Sequence, residues 1–230
     1  MGVRSFTHAR VLVCLARAVV AMLAAVAVLP GSQAWDRDRM AQAAERLGPL
    51  AVQGVQALQA TLERGAQLDE RARLDLVNQF FNRRILSGLD TDLWGQNDYW
   101  ASPLETLSKG AGDCEDYAIG KYFSLMAAGV PGARLRLVYV RAQIGGPGGI
   151  VQAHMVLAYY AAPDAEPLIL DNLITEVRPA SRRPDLTPIF SFNAEGLWQG
   201  VGAGAPGGDA GARLSRWREV LAKARAEGFL

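Results

Sequence analysis

Gly110-Ala111-Gly112-Asp113-Cys114-Glu115-Asp116-Tyr117-Ala118-Ile119-Gly120-Lys121 sets a cysteine just behind two glycines and among three acids, where helical periodicity begins. Tyr117 or Ala118, Lys121 to Phe123, and Leu125 to Met126 recur at helical intervals, and Gly129-Val130-Pro131-Gly132 ends the run. The spacing predicts a helix from Cys114 to about Ala128. A cysteine in the first turn keeps an unpaired backbone N–H and meets the positive end of the helix dipole. Both favour the thiolate, the nucleophilic form. Gly110 and Gly112 permit tight backbone geometry and let a substrate carbonyl come close. The Cys114 N–H is then a candidate oxyanion donor, with Gln96 or Trp100 as candidates for a second. The neighbouring acids Asp113, Glu115 and Asp116 oppose the thiolate if left unneutralised. Either they diverge around the helix and complement its dipole, or they gather as oxygen ligands for a hard cation such as Ca²⁺.

Cysteine and histidine usage narrows the chemistry further. The chain has two cysteines and two histidines, and Cys14 and His8 fall in an N-terminal stretch laid out like an export signal. Arg4 and Arg10 precede an apolar run from Val11 to Leu29 that only Arg17 interrupts, and Ser32-x-Ala34 offers a small-x-small cleavage pattern ahead of Trp35. Residues 1–34 are therefore expected to be a signal peptide and 35–230 one exported domain. Val11 to Leu29 is also long enough for a membrane anchor if Arg17 snorkels. An exported chain left with one cysteine has no disulfide partner for it, so the thiol is either inert or kept for its reactivity. The formal charge of +1 and the lack of a basic run beyond the export signal argue against a nucleic-acid footprint.

The remaining histidine lies in Gln152-Ala153-His154-Met155-Val156-Leu157, and a carboxylate follows at the end of Leu168-Ile169-Leu170-Asp171-Asn172. A lone histidine on an apolar strand is ordinarily structural, and Asp171 alone would pass for a turn residue. With Cys114 they supply nucleophile, base and orienting acid, the three parts of a Cys-His-Asp triad. Any general base for the thiol has to be His154, because residues 35–230 hold no other histidine.

Helical patterns cover Asp36 to Leu47, about Leu50 to Arg64, and Asp69 to about Leu86, where Leu74, Val77, Phe81 and Ile85 form the stripe. Gly88 to Gly112 reads as loop, with Trp94, Tyr99 and Trp100 as candidate walls of a subsite for a small side chain or as plain packing. After the Cys114 helix the period becomes that of strands. They are expected at Arg134 to Arg141, Ile150 to Tyr160 and Leu168 to Leu170, with a Gly145-to-Gly149 turn after the first. A Gly/Ala-rich flexible stretch from Gly200 to Gly211 leads to a last helix from about Leu214 to Ala226. Helices, then short-linked strands, then a closing helix make an α+β domain with an antiparallel sheet.

Gly-Asp-Cys-Glu-Asp at 112–116 and Ala-His-Met-Val-Leu at 153–157 together resemble the bacterial transglutaminase-like cysteine protease family, in its LapG-type branch. So do Asn78 to Asn82, Asp98 to Glu105, Leu170 to Leu173 and Arg178 to Pro188, and the likeness runs from about residue 68 to 200. The resemblance implies a papain-like, transglutaminase-like fold, with N-terminal helices and the nucleophile helix packed on the sheet. It maps the triad to Cys114, His154 and Asp171 and the family's Ca²⁺ site to Asp113, Glu115 and Asp116. It implies a periplasmic endopeptidase that cuts a large surface adhesin near its N-terminus after paired alanines, releasing it and dispersing biofilm. An inner-membrane cyclic di-GMP receptor, through its periplasmic domain, is the implied inhibitor. The Gly145-to-Gly149 connection and the Gly/Ala-rich segment depart from the family pattern. Two other activities share these residues: transfer of the acyl group to an amine, and non-catalytic, calcium-dependent peptide binding.

Overall fold

The computed structural model describes residues 35–202, 204 and 206–230; the signal-peptide expectation for residues 1–34 lies outside them. Three helices open the domain. The first, α1 (Arg37–Leu47), starts where the Asp36 carboxylate accepts the Arg39 N–H, and stops at Gly48, whose φ of 104° suits only glycine. Pro49 begins α2 (Pro49–Ala66), where a missing N–H is no loss. Asp69 caps α3 (Glu70–Arg84), which buries Leu74, Val77 and Phe81 at the expected spacing. Phe80 is only partly buried against the core.

The expected Gly88-to-Gly112 loop is more ordered than its composition suggests. It contains α4 (Asp90–Trp94) and α5 (Pro103–Lys109), flanked by β1 (Leu86–Ser87) and β2 (Ala111–Gly112), which pair in parallel. A capping box begins α5: Ser102 accepts the Glu105 N–H while the Glu105 carboxylate accepts the Ser102 N–H. From β2 the chain enters α6 (Cys114–Ala127), capped by Asp113 and buried on nearly every side.

The sheet is antiparallel, with strand order β6-β5-β4-β3-β7-β8. The expected strands are β3 (Leu135–Ile144), β4 (Ile150–Tyr159) and β5 (Leu168–Leu170). Three more appear where none was expected: β6 (Arg178–Pro179), β7 (Leu186–Phe192) and β8 (Leu197–Gln199). The longest of these, β7, contains Pro188, which ordinarily argues against a strand. The register with β3 shifts beside it, and β8 pairs only with 190–192, so Pro188 sits at an irregularity beyond the reach of β8.

Strand alternation sorts the core into two clusters. Leu135, Leu137, Met155, Leu157, Leu170 and Phe192 face the helices, while Val138, Val140, Val156, Ala158 and Ile169 make a smaller cluster on the other face. The Gly/Ala-rich stretch ends in a short helix, α7 (Ala210–Arg213), and α8 (Ser215–Ala226) closes the domain. The Trp217 indole fills the core beside Tyr122, Phe123 and Phe192. The α+β class and a helix-against-sheet arrangement are thus as expected, with α6 seated between α3 and β4.

Candidate active site

Helix α6 delivers Cys114 in its first turn, half-buried against the core. The backbone N–H of Met155, the residue after His154, faces the sulfur and favours its thiolate. Burial works the other way and pushes the thiol pKa well above its ordinary value, helped by the charges of Glu115 and Asp113. The thiol donates to Glu115 Oε2 at 2.8 Å rather than to His154, which holds its proton in place.

His154 and Asp171 are both buried, 3% and 1% exposed, and His154 Nε2 lies 2.8 Å from Asp171 Oδ1. With Nε2 committed, Nδ1 is the ring nitrogen left to serve the thiol. Burial alone would raise the Asp171 pKa. The His154 bond, the Arg183 guanidinium and the Leu173 N–H outweigh it and hold the carboxyl at about 2, so it stays ionised. Helix α3 fixes the segment that carries it: Asn82 Nδ2 donates to the Asp171 carbonyl at 2.7 Å and Asn78 Nδ2 to that of Thr175 at 2.8 Å. From α6, Lys121 faces Asp171 with a fully buried amine whose pKa burial lowers to about 7. Its Nζ has no hydrogen-bond partner among the described residues.

The acids beside the thiol divide. Carboxylate oxygens of Asp90, Asp113 and Asp116 converge to within 4.8 Å of one another, whereas Glu115, expected with them, has turned to the thiol. Asp90 replaces it in the cluster and comes from α4, far from the others in sequence. Burial, then repulsion by Glu115, Asp116 and Asp90, raises the Asp113 pKa to about 9. Burial likewise raises Asp116 to about 7 against the pull of the Ala101 N–H. Asp90 Oδ1 and Asp116 Oδ2 are buried without a hydrogen-bond partner among the described residues. Three converging carboxylates, two with orphaned oxygens, fit a hard divalent cation.

Gln96 and Trp100, the candidates for a second oxyanion donor, line a polar groove of about 480 Å³ with Asp98, Tyr99, Arg216 and Lys223. The Trp100 ring stacks on Phe192 at 5.7 Å. Trp94 packs on Tyr99 with Lys109 Nζ 4.6 Å from its ring centroid, and Tyr99 bonds Glu105 and Lys223. Tyr139 of β3 also feels the charges of Glu115 and Cys114, and its ring stacks on Phe190 at 5.2 Å. Alternation placed Tyr139 on a strand, but only the sheet register brings it to the thiol. Asp90 was likewise beyond sequence reasoning, since it lies in no motif with Asp113 and Asp116, and the Arg178-to-Pro188 likeness that contains Arg183 gives no sign that its guanidinium reaches Asp171.

Residues 55–186 match the family model for bacterial transglutaminase-like cysteine proteinases, a range that includes Cys114, His154 and Asp171. Solved structures of Legionella pneumophila LapG are similar to the chain at 36% identity. The calcium-bound form covers 82% of this chain and 98% of its own, with a TM-score of 0.70. The EGTA-treated form covers 82% and 97% with a TM-score of 0.70, and a further structure gives 0.69. No curated protein matches the chain.

Proposed function

The chain belongs to the bacterial transglutaminase-like cysteine proteinase family, and from that premise we propose that it is a calcium-dependent periplasmic endopeptidase acting on a large surface adhesin. The observation that carries the chemistry is the buried His154–Asp171 pair, one residue from the N–H that faces the Cys114 sulfur. In this reading His154 Nδ1 takes the thiol proton as Cys114 attacks a peptide carbonyl. The Cys114 N–H meets the developing oxyanion at the helix N-terminus. Asp171, ionised, fixes the tautomer and stabilises the imidazolium. His154 then returns the proton to the leaving amine, and water releases the acyl group from the thioester.

Asp90, Asp113 and Asp116 would hold the calcium ion, with Glu115 beside them. When bound, it supplies positive charge that offsets the carboxylates now raising the thiol pKa. The calcium-bound and EGTA-treated LapG structures support the choice of cation. The periplasmic address rests on the export-signal layout of residues 1–34. Cleavage after paired alanines near the adhesin N-terminus, biofilm release, and restraint by a cyclic di-GMP receptor rest on the family resemblance.

The test is a cleavage assay on the N-terminal fragment of a large adhesin from the same organism, read by mass spectrometry. Residues 35–230 with Ca²⁺ should cut after two alanines. Cys114→Ala should lose at least about 10³-fold in rate, and a chelator should stop the wild-type protein. Cleavage that survives Cys114→Ala would sink the thiol mechanism. Products carrying added amine mass would reassign the enzyme to acyl transfer.

A further inference from the structure

We propose that Arg183 is the positioning residue of the triad carboxylate: it holds Asp171 Oδ2 so that Oδ1 stays aimed at His154. The proposal rests on the proteolytic reading of Cys114, His154 and Asp171. Oδ1 accepts from the Leu173 N–H at 3.1 Å and meets His154 Nε2 at 2.8 Å. Oδ2 has a different and single kind of support, the Arg183 NH2 at 2.7 Å. Without that bond a buried carboxylate oxygen would be left unsatisfied, and the group would be free to turn about χ2.

The guanidinium is itself held against turning. Asp185 accepts from its Nε at 3.0 Å and its NH2 at 2.7 Å, a two-point grip that a planar fork permits and an ammonium does not. The backbone around it is also pinned, through Arg183 N–H to the Ala180 carbonyl and Gln143 N–H to the Asp185 carbonyl. Arg183 is 3% exposed, so its charge acts in a dry setting. Lys121, the other amine influenced by Asp171, makes no hydrogen bond among the described residues, and burial lowers its pKa to about 7. Arg183 therefore supplies direction as well as charge, and the two roles separate experimentally.

His154 is the one histidine in residues 35–230, so its ring gives a single assignable set of NMR signals. In ¹⁵N-labelled protein the Nε2–H resonance, shifted downfield by the bond to Asp171, should move upfield or broaden in Arg183→Met. In the adhesin assay kcat should fall on the order of 10²-fold, the loss expected of a catalytic group displaced by about 1 Å, with KM within about twofold. Arg183→Lys should recover part of kcat, and Asp185→Asn should shift the resonance the same way by less. A folded Arg183→Met with unchanged resonance and kcat, or with KM raised and kcat kept, overturns the proposal. Should Arg183→Met fail to fold, Arg183→Lys and Asp185→Asn decide it by the same two readouts. If the wild-type protein cuts nothing, the proteolytic reading has failed, while the ring resonance still decides whether Arg183 positions Asp171.

Discussion

A Cβ on Gly112 would lie 2.6 Å from Asp116 Oδ2, so a single hydrogen atom at that position is what lets the acid cluster form beside Cys114. Asp116 is anchored through Oδ1, which accepts the Ala101 N–H at 2.9 Å, while Oδ2 has no hydrogen-bond partner among the described residues. Burial first, and the like charges around them second, raise the pKa values of Asp113 and Asp116, so without a cation the three carboxylates sit poorly in this site. Asp116→Asn separates the two roles, because its amide oxygen still accepts from Ala101 while one charge is gone. Calcium affinity, measured by titration calorimetry, should fall at least about 10²-fold. In EGTA the variant should melt a few degrees above the wild-type protein, since a repelling buried charge has been removed. An unchanged calcium affinity would exclude Asp116 as a ligand.

Helix α6, which carries Cys114, lies close against α3 at Gly120. A Cβ there would stand 2.4 Å from Phe81 Cε1, inside van der Waals contact. Gly120→Ala gains about 1 kcal/mol of helix propensity, but the forced separation costs about 2–3 kcal/mol. The net loss of about 1–2 kcal/mol should appear in urea unfolding; a variant as stable as wild type would mean that the helices part freely. These helices were legible in the sequence because caps, glycines and apolar spacing agree, as at Asp36, Gly48 and Asp69. Cys114 and His154 stood out because residues 35–230 hold one of each. Strand β7 was hidden by Pro188, which is tolerated only at the irregularity that tertiary pairing with β3 creates. Helix α5 was missed although Ser102-Pro103-Leu104-Glu105 carries its capping box openly; the aromatics around it drew the segment toward loop. Asp90 and Tyr139 carry no sequence signal, because their partners come from other elements, and Arg183 stood in a recognisable stretch that shows its neighbour Asp185 but not its reach to Asp171.

At the scale of the whole molecule the two ends of the described chain are fastened together, and the fastening reaches the site. The Asp36 N–H donates to the Gly228 carbonyl at 2.7 Å, and Phe229 is buried beside Phe123. From α8, Lys223 bonds Tyr99, Glu105 and the Trp100 carbonyl, holding the segment whose Ala101 N–H anchors Asp116. Glu227 completes the closure, since its carboxylate accepts from the Ser102 hydroxyl and the Leu104 N–H at the start of α5. Burial raises its pKa from 4.5 to about 7 despite those two donors. Between these values the folded protein binds a proton that the unfolded chain does not, so this group makes stability fall as pH rises from about 4.5 to 7. Above pH 7 the full loss applies, on the order of 3 kcal/mol. Glu227→Gln removes the titration while keeping the shape. Comparing the two proteins at one fixed calcium concentration cancels their shared carboxylates, including the acid cluster. The variant's melting temperature should therefore rise relative to wild type between pH 5 and pH 8, whatever the sign of the difference at pH 5. Parallel pH profiles would show that the buried carboxylate does not titrate in this window, and that the closure of the chain ends does not make stability depend on pH there.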